Sequence, residues 1–275
     1  MEKEIIFWRS FFIAFICFFI GLLCFGYIFW MLPSISLKPE PIEPACITGG
    51  WKFALITTHL FNFILIPITM KIFDLRSSYL VNKGLHSPFS IQLGLALIMV
   101  AIASEVGWHV TQCWYYQDQF TALNFMFYFF LISAFALWAD GFLENKCVDF
   151  VFVGALAIVS ILYPLGDKFN TPIFKLPIYV VLTLIFGFLV YRGYKILQDW
   201  RIIFFPFFSV VVNLTFVFLL NKYGGNPYTN PQITYNALFH ILHDLGGTEA
   251  GLAIFAYLVY RNPYRLQSSE LESSS

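Results

Sequence analysis

Two short patterns of ionisable residues stand inside strongly apolar sequence. Glu105 and His109 are four residues apart, so on a helix they share a face. Asn236, His240 and Asp244 repeat the same spacing twice and form one stripe, with His243 on the same broad side of the helix. Glu249 projects about 180° from His240 on a regular helix and is set aside. His59 stands alone in another apolar run, Ser104 adjoins Glu105, and Asp118 falls at the turn after His109. Histidine nitrogens and carboxylate oxygens on facing helices are how helix bundles build metal sites. Zinc takes both donor types, with three protein ligands and a water where the site is catalytic. Bound there, it lowers the water's pKa toward neutrality.

Plainer roles compete with this one. A lone histidine such as His59 is by default a hydrogen-bonded interior group. Asp118 by itself is a solvated turn residue, and His86 a solvated loop residue. Polar groups near helix ends can snorkel to the interface, and ordinary interhelical hydrogen bonding accounts for the rest.

The elements that must carry these residues are membrane helices. Of the 275 residues, 59% are hydrophobic and only 12% charged, about half the ~25% of soluble domains. Mean hydropathy is +0.73. These values exclude a soluble enzyme and a disordered chain. Sixteen basic residues balance sixteen acidic ones, which leaves no basic surface for nucleic acid. The five cysteines, Cys17, Cys24, Cys46, Cys113 and Cys147, form no CxxC pair and no disulfide framework.

A spanning helix needs roughly 20 apolar residues. Eight runs qualify: 5–31, 51–71, 91–114, 120–139, 148–164, 175–194, 202–221 and 235–260. The fold class expected is therefore all-α, a polytopic membrane protein with eight transmembrane helices. Runs five and six are the weakest, with a merged or re-entrant segment as the alternative. The first run is too long for a signal-peptide core and is read as a retained helix. Residues 1–50 form an extra N-terminal helix and loop, 51–262 a seven-helix core, and 263–275 a disordered tail whose LESSS reads as a cloning remnant.

With eight spans, eleven Lys and Arg residues fall on the side of both termini and five on the other. That bias places both termini in the cytoplasm. His59, His109, Asp118 and His240 then lie at one depth, near the outer face. Trp108, Trp114, Tyr115, Tyr116, Tyr223, Tyr228 and Tyr235 gather at that boundary as an interfacial belt. Span eight contains no lysine, which excludes a retinal Schiff base there.

The segment His109-Val-Thr, with Asp118 opening the next span, resembles the alkaline ceramidases and, more broadly, the CREST membrane hydrolases. That superfamily's pattern is Ser-x3-His in the second core helix, Asp at the start of the third and His-x3-His in the seventh. With the first run set aside, His109, Asp118 and His240 fall on those positions. Leu238-Phe-His-Ile-Leu-His-Asp-Leu-Gly246 is similar to the ceramidase stretch in the last helix. Two positions depart from the pattern. Glu105 stands where the family has serine, with Ser104 one residue off, and Asn236 stands where it has the first histidine of the last helix.

The resemblance implies a zinc-dependent hydrolase of lipid amide bonds. Glu105, His109 and His240 would hold the metal, and Asp118 would act as general base or orient the water. His243, Asp244 or His59 could contribute. Two other functions remain open on these residues. One is a non-enzymatic lipid-binding, receptor-like or transport protein on the same scaffold. The other is a haem protein with two axial histidines, from His109 and His240 or His59. A membrane lipid is the expected partner, as substrate or ligand.

Overall fold

The computed structural model describes residues 16, 47–111, 122–142, 146–169, 172–223, 225–226 and 230–273. The run expected at 5–31 lies outside these residues, apart from Ile16. From Gly49 onward the chain is a series of helices: α1 (Gly49–Asn82), α2 (Pro88–Thr111), α3 (Ala122–Phe142), α4 (Lys146–Phe169), α5 (Leu176–Leu197), α6 (Arg201–Tyr223) and α7 (Ile233–His243). A π-helical turn, Asp244–Glu249, continues α7 without a break into α8 (Ala250–Ser273). Counting that rod once, the described residues from Gly49 onward form seven helical rods. A minimal antiparallel pair, Gly225–Asn226 with Asn230–Pro231, sits before α7.

Helices dominate for a physical reason. In hydrocarbon every backbone N–H and C=O must be satisfied within the protein, and a helix does this inside one segment. Among the described residues, Gly49–Asn82, Pro88–Val110, Leu123–Phe142 and Leu176–Leu197 are long and apolar enough to cross a membrane by length and composition. Large apolar side chains face outward, Leu184 at 69% and Phe207 at 66% exposure. On a water-soluble protein such a surface would aggregate; against lipid tails it is the ordinary surface.

Helix ends follow local chemistry. α1 stops at Gly84, whose φ of +99° suits glycine. The Leu85 N–H then reaches back to the Leu80 carbonyl at 2.9 Å, closing a Schellman turn. Between α5 and α6, Asp199 accepts from the Arg201 backbone N–H at 3.1 Å and from its Nε at 2.9 Å. Pro67 lies inside α1, where it removes one hydrogen bond from the ladder.

Runs five and six are separate helices, α4 and α5, joined through a 3-10 turn at Pro172–Lys175, and are not merged. The last rod continues to Ser273, past residue 262, where the sequence places a disordered tail. Leu266, Gln267, Glu270, Leu271 and Glu272 are good helix formers and carry the helix onward.

The core runs between α1, α2, α3, α4 and α5, through Ile66, Phe73, Leu95, Phe125, Ile132, Leu156, Tyr163 and Ile185. In lipid this packing works through close contact and dispersion rather than escape from water. α2 and α3 approach closely because Gly94 faces Trp138 and Gly141 faces Ile91. The Trp138 indole N–H donates to the Ile91 carbonyl at 3.0 Å. The Gly141 carbonyl accepts from the His86 and Ser87 N–H groups at 2.8 and 3.0 Å. α3 and α4 are joined by the Tyr163 hydroxyl, which donates to Asn124 Oδ1 with both residues buried. Tyr163→Phe should lower stability by about 1 kcal/mol, since a buried acceptor loses a donor. A thermal melt in detergent checks this.

Candidate metal centre

Three helical rods meet at the end of the bundle where α1 begins. The Lys52 ammonium donates to the Val110 carbonyl at 2.9 Å, which ties the start of α1 to the end of α2. Seven residues further along α1, about 10 Å by helical rise, His59 enters the interior. α2 supplies Glu105 and His109, and α7 supplies His240. One ligand atom from each of His59, Glu105, His109 and His240 lies within 4.8 Å of all the others. His59, Glu105 and His240 are buried, and His109 is half-buried.

The three imidazoles form a triangle. Ring centroids are 4.9 Å apart for His59 and His109, 5.1 Å for His109 and His240, and 5.4 Å for His59 and His240. The buried Trp108 ring stacks on His109 at 5.2 Å. This geometry counts against the haem alternative. Axial ligation puts two histidines on opposite faces of a flat macrocycle, and rings this close, with Glu105 among them, leave no slot for one.

His59 reveals the electrostatics. Its Nδ1 lies 2.8 Å from the Leu55 carbonyl, and a carbonyl can only accept, so Nδ1 carries the proton. In the neutral ring Nε2 is then a lone pair. It faces Glu105 Oε2 and Asp244 Oδ2, each at 3.4 Å. Asp244 Oδ2 is also 3.3 Å from His240 Nε2. Charge-assisted N–H···O bonds are about 2.7–2.9 Å, so these contacts are too long for strong hydrogen bonds. Within the four-residue set, the His59–Glu105 separation of 3.4 Å is close to the edge of a ligand tetrahedron around zinc, about 3.3 Å for bonds of 2.0–2.1 Å. A metal-bound histidine usually donates its other nitrogen to a carbonyl or carboxylate, as His59 does to Leu55. The donor set and its spacing therefore fit a divalent metal.

The remaining candidates fall into place around this set. Asp244, at i+4 from His240, lies against it as its spacing implies. His243 points partly outward and donates from Nδ1 to Asp244 Oδ1 at 3.1 Å. Ser104 is buried, but its hydroxyl bonds the Val100 carbonyl of its own helix at 2.9 Å, and it is not one of the four donors. Asn236 lies on α7, its side chain outside the described residues, and Asp118 lies outside them altogether. Glu249 corrects the sequence reading. It is buried and accepts from Asn62 Nδ2 at 2.8 Å, on the interior side of the rod. The reason is the π-helical turn from Asp244 to Glu249. Its i→i+5 winding advances less angle per residue than an α-helix, so Glu249 does not reach the opposite face.

His59 is the residue that sequence reasoning held in reserve and the structure makes central. A single histidine without an i+3 or i+4 partner gives no periodic signal. Its depth, shared with His109 and His240, was the available clue.

No curated protein and no solved structure matches the chain. A family model described as a seven transmembrane receptor matches residues 51–265, which is most of the chain and touches every helix from α1 to α8. The match agrees with the seven-helix membrane core and names a receptor, not the lipid hydrolases that the motif resembles. The chain is an integral, multi-pass membrane protein and belongs to the seven transmembrane receptor family.

Proposed function

We propose that this is a receptor-like, non-enzymatic membrane protein whose helices are tied together by one divalent metal ion, zinc by donor preference, held by His59, Glu105, His109 and His240. The observation that carries this reading is the count of protein donors. Structural zinc sites are closed, with four protein ligands, whereas catalytic ones keep a position open. Four donors converge here, and Asp244 stands behind them. The metal would crosslink α1, α2 and α7. A membrane lipid is the ligand this scaffold suits, entering between helices whose outer surfaces are apolar. By the Lys/Arg bias the cluster sits toward the extracytoplasmic face and both termini in the cytoplasm.

The second reading is the zinc-dependent lipid amidohydrolase. It is favoured by the order and spacing of His109, Asp118 and His240, with Glu105 as the third ligand. The metal would there supply an activated water. His59 would have to leave the set to make room.

Elemental analysis of protein purified without chelators tests the shared premise. About one zinc per chain is expected, and its absence would overturn both metal readings. X-ray absorption then separates them. Four protein N/O donors with no exchangeable water supports the receptor-like reading; three plus water supports the hydrolase.

A further inference from the structure

Below the four-residue set lies a second buried polar pair that the metal does not use. Asn62 and Glu249 are 3% and 4% exposed. The Asn62 amide N–H donates to Glu249 Oε1 at 2.8 Å and lies 3.4 Å from the His59 carbonyl. That leaves Asn62 Oδ1 and Glu249 Oε2, both buried and both without a hydrogen-bond donor among the described residues. Asn62 is ten residues along α1 from Lys52, about 15 Å; with the Lys52 ammonium at the boundary, that is the middle of a ~30 Å hydrocarbon layer.

An ionised carboxylate at that depth is costly, because hydrocarbon does not solvate charge. No Lys or Arg among the described residues acts on it. Lys71 pairs with Asp74 and Arg201 with Asp199. The ionisable groups that act on Glu249 are Asp244 on its own turn and His59 on α1. From α6, Val212 and Phe216 reach the π-turn at Gly246, and both are apolar. One hydrogen removes both deficits. A proton on Oε2 discharges the carboxylate and turns a bare acceptor into a donor. An acid and an amide can then pair reciprocally, each donating once and accepting once.

We propose that Asn62 and Glu249 form a proton-binding site at mid-membrane depth, in which Glu249 is a neutral carboxylic acid at neutral pH. The site requires no metal. It makes the contact between α1 and the π-turn pH-responsive: releasing the proton to water leaves a buried charge and two acceptors without donors between these elements.

The test is infrared spectroscopy of the full chain in liposomes at pH 7, with and without glutamate labelled by ¹³C at the side-chain carboxyl. Wild type should show a protonated-carboxyl C=O band that shifts with the label and fades as pH rises. Glu249→Gln should lose that band while keeping its thermal midpoint, since glutamine preserves the amide pairing. His240→Ala, which dismantles the metal set, should keep it. No such band in wild type at pH 7 would overturn the proposal, as would its persistence in Glu249→Gln. Zinc content, measured separately, decides the metal reading whatever the infrared result.

Discussion

Purified His59→Ala protein should carry less than a tenth of the zinc of wild type and should melt at a lower temperature that chelators no longer shift. His59 is the only donor that α1 contributes to the four-residue set. Without it three of the four donors remain, all on α2 and α7. A ligand bound only by the folded state stabilises it by about 4.1 kcal/mol when its concentration is 1,000 times its Kd. Wild type treated with a chelator should lose about that much and should then resemble the variant. His243→Ala is the matched control. His243 bonds Asp244 from outside the set, so this variant should retain near-wild-type zinc. Equal zinc in wild type and His59→Ala would remove His59 from the site.

Gly94→Ala should be the most damaging single-methyl change in the bundle. A Cβ at position 94 would stand 2.3 Å from Trp138 Cδ1, 2.5 Å from its Nε1 and 2.8 Å from the Ala134 carbonyl oxygen. The first two belong to a ring fixed by its hydrogen bond to Ile91, and the third is backbone. Neither can retreat without parting α2 from α3. Overpacking typically costs 1–3 kcal/mol, and losing the indole hydrogen bond adds about 1 kcal/mol. A loss of roughly 3 kcal/mol is expected, measured by thermal unfolding. Gly154→Ala, where a Cβ meets nothing within 4 Å, should be neutral or slightly stabilising, because alanine is the better helix former. Equal melting of the two variants would contradict the packing argument.

The helical series was legible because hydropathy reports membrane spans directly. Each apolar run from 51 onward is helical, with ends moved by a few residues at most places and by more where α1 extends to Asn82 and the last rod to Ser273. Glu105, His109, His240 and Asp244 were legible for the same kind of reason. Spacing of four on an α-helix fixes a shared face, and the structure turns those faces together. His59 was weakly legible, since one residue has no period and only its depth spoke for it. Ser104 adjoins the set in sequence, but its hydroxyl bonds the Val100 carbonyl, as a helical serine can on the carbonyl four residues back. Glu249 failed for a geometric reason. Its placement assumed 100° per residue through Asp244-Leu-Gly-Gly-Thr-Glu249, and the chain there is π-helical. The adjacent glycines Gly246 and Gly247 were the available warning, because they weaken the preference for regular winding.

Pro67 has a mechanical consequence. It divides α1 into a portion that holds His59 and Asn62 and a portion that holds Phe73, Arg76 and Leu80. The first is fastened to α2 and to the π-turn by polar contacts. The second is fastened to α8 through Phe73 against Phe255 and the Arg76 guanidinium over the Tyr260 ring. With no N–H at Pro67, the ladder is most compliant between the two attachments. A tilt imposed at the histidines is therefore taken up as bending at that joint, and reaches the far end of α1 attenuated. Stiffening the joint with Pro67→Ala would let one end of the rod move the other.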